Sequence, residues 1–345
     1  MRYIGGKSLL LDKIYKVITD NTQDVCSVLD LFSGSGVVSA FLKEKGYNVV
    51  ANDFIYFAYV LSRGTLNLNS EPTFEGLKAK GITDVLAYLN NLSLEQSGYA
   101  LQDCFVYNTF SPTEVCQRMY LQNHNAIKID LIRQRIEEWK DAHTITDDEY
   151  YYLLASLISA VPYVSNIAGV YGAYLKHWDK RTYKSLLLEP LRIIQNQTLC
   201  QSYNKSAQQL VREINTDLVY LDPPYNARQY LPNYHVLETI AKYDNPEVRG
   251  VSGMRDYSNQ KSAFCMKSKA AYALELLMRD IKARYIVMSY NNEGIISTAE
   301  ITAIMKAYAK PDSFRLYEFP YRRYKSKIPN VAEGLKEQLY FIEKR

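Results

Sequence analysis

The chain alternates between two styles of hydrophobic patterning. Residues 25–32 (VCSVLDLF) form a short apolar run of the kind buried in a parallel sheet, and the run ends on Ser33-Gly34-Ser35-Gly36. Helical spacing follows over residues 37–45 and stops at Gly46. A second run, residues 47–51 (YNVVA), ends at Asn52-Asp53. Strand, glycine turn, helix, strand and acidic residue in that order predict one nucleotide-binding βαβ unit.

The alternation lapses between about residue 57 and residue 190. Helical spacing takes over, with Ile129, Ile132, Ile136 and Trp139 on one predicted face. Thr146 and Glu149 have the spacing of a capping box opening an apolar helix over residues 150–160. This stretch reads as an inserted domain. The α/β rhythm resumes after residue 191, with strands predicted at residues 217–221 (DLVYL) and 284–289 (RYIVMS). Two extended runs, 314–319 and 338–342, predict a terminal hairpin.

Three motifs lie at predicted strand ends, where α/β folds bind ligands. In DLFSGSG, Gly34 and Gly36 let the backbone turn tightly against a ligand, and Asp30 suits a cationic group such as the amino-acid end of S-adenosylmethionine. The phosphate-cradling triplet of GxGxxG is missing. An ordinary strand-to-helix turn would look similar. Asp53, one βαβ unit later, is placed to accept both hydroxyls of a ribose, although a lone loop carboxylate is usually just solvated.

The most specific segment is Asp222-Pro223-Pro224-Tyr225 after DLVYL. Two prolines fix φ and remove two amide donors, so the carbonyls beside them stay rigid and available. A carboxylate and a carbonyl together match the two hydrogens of an exocyclic amine. Tyr225 adds a flat face for a base. A rigid Asp-Pro turn explains the prolines, but not an acid before them and an aromatic after them.

In order, RYIGGK, DLFSGSG, ND, LDPPY and SYNNEG resemble the Dam-like (D12 class) N6-adenine-specific DNA methyltransferases over nearly the whole chain. The resemblance implies an α/β fold: a Rossmann-like seven-stranded methyltransferase sheet with an inserted, mainly helical target-recognition domain. The expected division is a catalytic domain over 1–56 and 191–345 and a recognition domain over 57–190. It further implies S-adenosylmethionine as cofactor, held by Tyr3, Lys7, Asp30, Phe32, Ser33, Gly34, Gly36, Asp53 and Asp222, with Lys7 facing the cofactor's carboxylate. Asn204 stands where the family often carries an aspartate against the cofactor's adenine. Asp222, Pro223, Pro224 and Tyr225 become the catalytic set, with SYNNEG as a supporting wall.

Composition modifies this picture only slightly. Among 345 residues, 47% are hydrophobic and 23% charged, as in ordinary globular domains, and the net charge of +4 permits nucleic acid without requiring it. The 31 tyrosines suit stacking on bases, or equally reflect an AT-rich coding sequence. Tyr321-Arg322-Arg323-Tyr324-Lys325-Ser326-Lys327 interleaves cations with aromatics and predicts phosphate contacts from Arg322, Arg323 and Lys325. Arg249 and Arg255, in the loop after Tyr225, are further candidates for double-stranded DNA. Lys176, Lys180, Arg181 and Lys184 form a weaker basic patch.

The five cysteines are scattered, so neither a metal site nor a disulfide framework is expected. No Pro-Cys pair offers the thiolate of cytosine-C5 chemistry, and no P-loop is present. The start of the chain lacks a signal-peptide core and no apolar run reaches the roughly 20 residues of a membrane span, so a cytoplasmic protein is expected. The reading at this point is a site-specific adenine methyltransferase of a restriction-modification system, monomeric or weakly dimeric, with a cognate endonuclease as possible partner. Cytosine-N4 methylation, methylation of RNA or a glutamine amide, and a catalytically silent DNA binder are the alternatives.

Overall fold

The computed structural model describes residues 6–320 and 334–345. They fall into two compact units. One comprises Ile55–Gln197 and Tyr230–Gln260; the other comprises Gly5–Phe54, Thr198–Gln229 and Lys261–Arg345.

The second unit is built on one seven-stranded sheet. Its strands are β1 (Ser27–Asp30), β2 (Asn48–Asn52), β3 (Gln201–Tyr203), β4 (Leu218–Leu221), β5 (Tyr285–Asn291), β6 (Arg315–Pro320) and β7 (Lys336–Glu343). The order is β3-β2-β1-β4-β5-β7-β6. Adjacent strands from β3 to β5 pair in parallel, whereas β7 runs antiparallel to both its neighbours. Every residue of β4 is buried, the expected signature of a parallel strand covered on both faces. Leu29, Leu31, Val219, Leu221, Ile286 and Met288 meet Leu210, Leu274, Leu277, Ile301 and Met305 in one apolar layer. The central strands, the helix Val37–Glu44 and the terminal hairpin lie within a few residues of their predicted bounds. The short strand β3 had no counterpart in the sequence pattern.

The first unit is helical. Its long helix Asn123–Asp141 buries Ile129, Ile132, Ile136 and Trp139, but also Asp130 and Arg133. The Asp130 carboxylate accepts from the Val106 and Tyr107 amides (2.9 and 2.8 Å), covering the first-turn donors of the helix Phe105–Phe110. The helix Asp147–Ala160 opens on the predicted capping box between Thr146 and Glu149.

The segment Tyr230–Gln260 joins this unit, beyond the boundary read from the sequence. The reason is polar as much as apolar. Glu238 accepts from the Tyr56 and Phe57 amides (3.2 and 2.9 Å), the Ile240 carbonyl accepts from Arg133 Nε (2.9 Å), and Tyr243 Oη donates to Asp130 (2.6 Å). Such pairings join residues up to 182 positions apart and leave no local pattern. Among the described residues, no helix is long and apolar enough to cross a membrane.

Candidate active site at the carboxyl ends of β1, β2 and β4

Parallel strands bring their carboxyl ends to one rim of the sheet, and β2, β1 and β4 are neighbours. Past β1 the chain turns through Gly34 (φ 51°) and Gly36 (φ 74°), a left-handed conformation that side chains with a Cβ resist. The helix Val37–Glu44 then starts with no side-chain cap on its first amides. Asp53 Oδ2 accepts from the Gly34 amide at 2.8 Å, tying the end of β2 to this turn. Asn204 Nδ2 donates to the Asp53 carbonyl at 2.7 Å, which links β3 to the same rim. Phe32 packs edge-on against Phe264 at 5.4 Å.

Asp30 lies beneath the turn and is 1% exposed. Ser39 Oγ donates to its Oδ2 at 2.6 Å, whereas Oδ1 is buried with no hydrogen-bond partner among the described residues. Burial pushes this carboxyl up to about 7; Ser39 opposes the rise, and Asp222 and Asp53 add to it. An orphaned buried oxygen, a bent glycine turn and a second carboxylate one strand away form a donor set suited to a ligand with a cationic end and a diol. The residues therefore fit S-adenosylmethionine, whose ammonium and ribose hydroxyls are donors that such carboxylates would accept from.

A carboxyl raised from 3.8 to about 7 costs the fold nothing below its unfolded value, destabilises it increasingly as pH rises from about 4 to about 7, and adds no further cost above that. Asparagine keeps an acceptor for Ser39 and carries no charge. Asp30→Asn is therefore expected to gain about 2 kcal/mol at pH 8 and little at pH 4, while losing cofactor affinity. Thermal melts at both pH values check this; an equal shift at the two would refute the burial of charge at Asp30.

Asp222 follows the last residue of β4. Its side chain keeps 17% exposure, and Lys7 Nζ lies 3.2 Å from its Oδ1. That atom is buried and has no aligned hydrogen bond among the described residues, so the contact is an ion pair with acceptor capacity to spare. No backbone amide among the described residues donates to the Pro223 carbonyl. Burial raises the Asp222 carboxyl to about 6; Lys7 pulls it down and Glu337 pushes it up. The Lys7 ammonium is held above its ordinary range: burial disfavours it, but the Asp222 and Glu337 carboxylates outweigh that cost.

The Tyr225 ring meets Tyr290 edge-on at 6.2 Å, with Lys7 Nζ 5.5 Å from its centre. The Tyr225 carbonyl accepts from the Ile295 amide at 2.9 Å, so the turn after SYNNEG braces the Asp222–Tyr225 loop. A Cβ at Gly294 would sit 2.2 Å from the Tyr290 ring, which accounts for glycine there.

The structure thus brings together Lys7, Asp30, Phe32, Ser33, Gly34, Gly36, Asp53, Asn204 and the Asp222–Tyr225 loop. Lys7, read from the sequence as facing the cofactor's carboxylate, stands against Asp222 and Glu337, and Glu337 was not singled out at all. Asp53 already uses one oxygen on Gly34. Tyr3, Arg322, Arg323 and Lys325 lie outside the described residues.

Arg249 is 80% exposed on a two-stranded hairpin (Val248–Arg249 with Met254–Arg255) and pairs with Glu247. Arg255 is different. It is 7% exposed, and its two terminal nitrogens meet Asp244 at 3.0 and 2.6 Å. That geometry makes it an internal strut of the hairpin, and the proposed DNA contact at Arg255 is withdrawn. In the weaker patch, Arg181 is drawn inward to the Ile167 carbonyl and to Asp179.

A family described as D12 class N6 adenine-specific DNA methyltransferase matches residues 3–304. Among curated proteins, the chain is 44% identical over its full length to the type II methyltransferase M.FokI of Planomicrobium okeanokoites, covering 53% of that protein. It is 40% identical to the modification methylase StsI of Streptococcus sanguinis, covering 52% of it. It is 37% identical to the type II methyltransferase M.NlaIII of Neisseria lactamica, covering 99% of it. The chain thus spans about half the length of M.FokI and StsI, and nearly all of M.NlaIII.

Proposed function

Because the chain belongs to the D12 class N6 adenine-specific DNA methyltransferases, we propose that it transfers a methyl group from S-adenosylmethionine to N6 of adenine in double-stranded DNA. We read it as the modification activity of a restriction-modification pair; the relative StsI is named a modification methylase, which supports this reading. The observation that carries the reading is the pairing of an acceptor-rich Asp222 with the rigid Pro223 carbonyl beside the glycine turn.

When bound, S-adenosylmethionine supplies an electrophilic methyl group on a sulfonium centre. The protein's part is to prepare the nitrogen. Stacked adenine hides its N6, so the base must leave the helix at a cost of a few kcal/mol. Tyr225 offers it a face. Asp222 and the Pro223 carbonyl accept its two amine hydrogens, drawing the lone pair out of conjugation and toward the methyl carbon. As the N–C bond forms, the methyl–sulfur bond would break with its electron pair staying on sulfur, and one N6 proton must leave. Asp222 can take it and release it through its exposed edge, above the pH near 6 where its carboxyl is charged. Positioning and electrostatics suffice, without a covalent enzyme intermediate.

Cofactor contacts are assigned to Tyr3, Asp30, Phe32, Ser33, Gly34, Gly36, Asp53 and Asn204. Sequence choice is assigned to the unit holding Ile55–Gln197 and Tyr230–Gln260, with Arg249 as an exposed candidate. Phosphate contacts are assigned to Arg322, Arg323 and Lys325, where alanine should weaken all DNA sequences alike. The deciding experiment methylates duplex DNA with labelled methyl donor and digests it to nucleosides. N6-methyladenine is the expected product; N4-methylcytosine, or no label in DNA, would overturn the proposal.

A further inference from the structure

We propose that Glu337 is a positioning residue of the methyl-transfer site, sharing the Lys7 ammonium so that Asp222 stays open to the amine. The inference rests on the role of Asp222 given above.

Because β7 alone opposes the other strands, its first residues lie beside the carboxyl ends of its neighbours. Glu337 pairs in register with Asn291, the last residue of β5. It is 3% exposed, where an apolar residue would serve the fold as well or better. Its Oε2 stands 3.5 Å from Lys7 Nζ, which stands 3.2 Å from Asp222 Oδ1. One buried ammonium therefore serves two carboxylates, and the trio carries a net negative charge.

Without Glu337, Lys7 and Asp222 would close into a neutral pair. The carboxylate would then accept weakly from an incoming amine and hold a proton poorly. With Glu337 present, the charge left over resides on the oxygens nearest the reacting nitrogen. Among the described residues, the other groups facing Asp222 are Asp30 from β1, Tyr220 on its own strand and, across Lys7, Tyr225. None of these is a cation, so among the described residues Lys7 is the charge that Glu337 balances. Burial sets the Asp222 carboxyl high, Lys7 lowers it, and Glu337 restores part of the rise.

The test uses the full chain and measures kcat, KM and melting temperature from pH 5 to 9. Glu337→Gln should lower kcat about tenfold near pH 7.5 and move the acid limb down by on the order of one pH unit, as expected for removing a neighbouring like charge. KM for duplex and for cofactor should stay within about threefold, since the role proposed for Glu337 acts through Lys7 and not on either ligand. Glu337→Asp should recover part of kcat. Lys7→Met should move the acid limb the opposite way. If Glu337→Gln folds poorly, the same change in a Lys7→Met background buries no lone cation, and it must still lower the limb relative to Lys7→Met alone. An unmoved acid limb in both backgrounds, whatever happens to kcat, overturns the inference. Failure of the unsubstituted chain to methylate adenine would instead strike the role of Asp222 itself.

Discussion

Alanine at Asp222 is expected to lower kcat by at least about a thousandfold while leaving cofactor affinity within a few-fold. Two effects combine. The amine loses its charged acceptor, and the departing proton loses its nearest base, together worth roughly 4 kcal/mol or more of transition-state stabilisation. The cofactor's proposed contacts lie elsewhere, on the glycine turn and on Asp53 at the end of β2. Asp30 should even ionise more readily in the variant, because Asp222 is one of the groups that raise its carboxyl. The fold should survive, since Lys7 keeps Glu337 at 3.5 Å and no charge is left buried alone. Asparagine offers one neutral acceptor oxygen and should fall between alanine and the parent. Calorimetry would decide: cofactor binding lost together with activity would move Asp222 from the reacting centre to the cofactor site.

The parts of this site legible in the sequence are those whose chemistry and fold are dictated by consecutive residues. A glycine turn after a buried strand, or two prolines between an acid and an aromatic, constrains its own backbone, so reading it needs no partner. That is why Asp30, Gly34, Gly36, Asp53 and the Asp222–Tyr225 loop gather on one rim as expected. Glu337 gave no such signal. A glutamate at the start of an apolar strand reads as a solvated end, and it becomes part of the site only because β7 runs against its neighbours. Lys7 was marked, but its direction depends on two carboxylates 215 and 330 positions away in the chain. The segment 230–260 was misplaced for the same reason. Its helix Leu231–Lys242 buries Glu238 against amides at 56 and 57, a pairing invisible to any local window. Arg255 shows the complementary error, since a loop arginine looks available until Asp244 is seen to hold it.

A duplex carrying a mismatch or an abasic site opposite the target adenine is expected to bind more tightly than the matched duplex, by up to roughly a hundredfold. If the adenine must leave the helix to reach Asp222, binding to matched DNA includes the cost of unpairing it, a few kcal/mol. Breaking the pair beforehand removes part of that cost, and about 1.4 kcal/mol corresponds to a factor of ten. The gain should appear mainly in affinity and less in kcat, because the base reaches the same acceptors once extruded. With 2-aminopurine at the target position, fluorescence should rise on binding. The rise should be muted by stacking on Tyr225 and larger in Tyr225→Ala, where the wall formed by Tyr290 remains. The effect of Tyr225→Ala on affinity should be about 1–3 kcal/mol, the usual worth of one base–aromatic stack. A protein that only reads the groove predicts neither result. Equal affinity for matched and mismatched duplexes, with 2-aminopurine silent throughout, would rule out extrusion and leave Asp222 with no amine within reach.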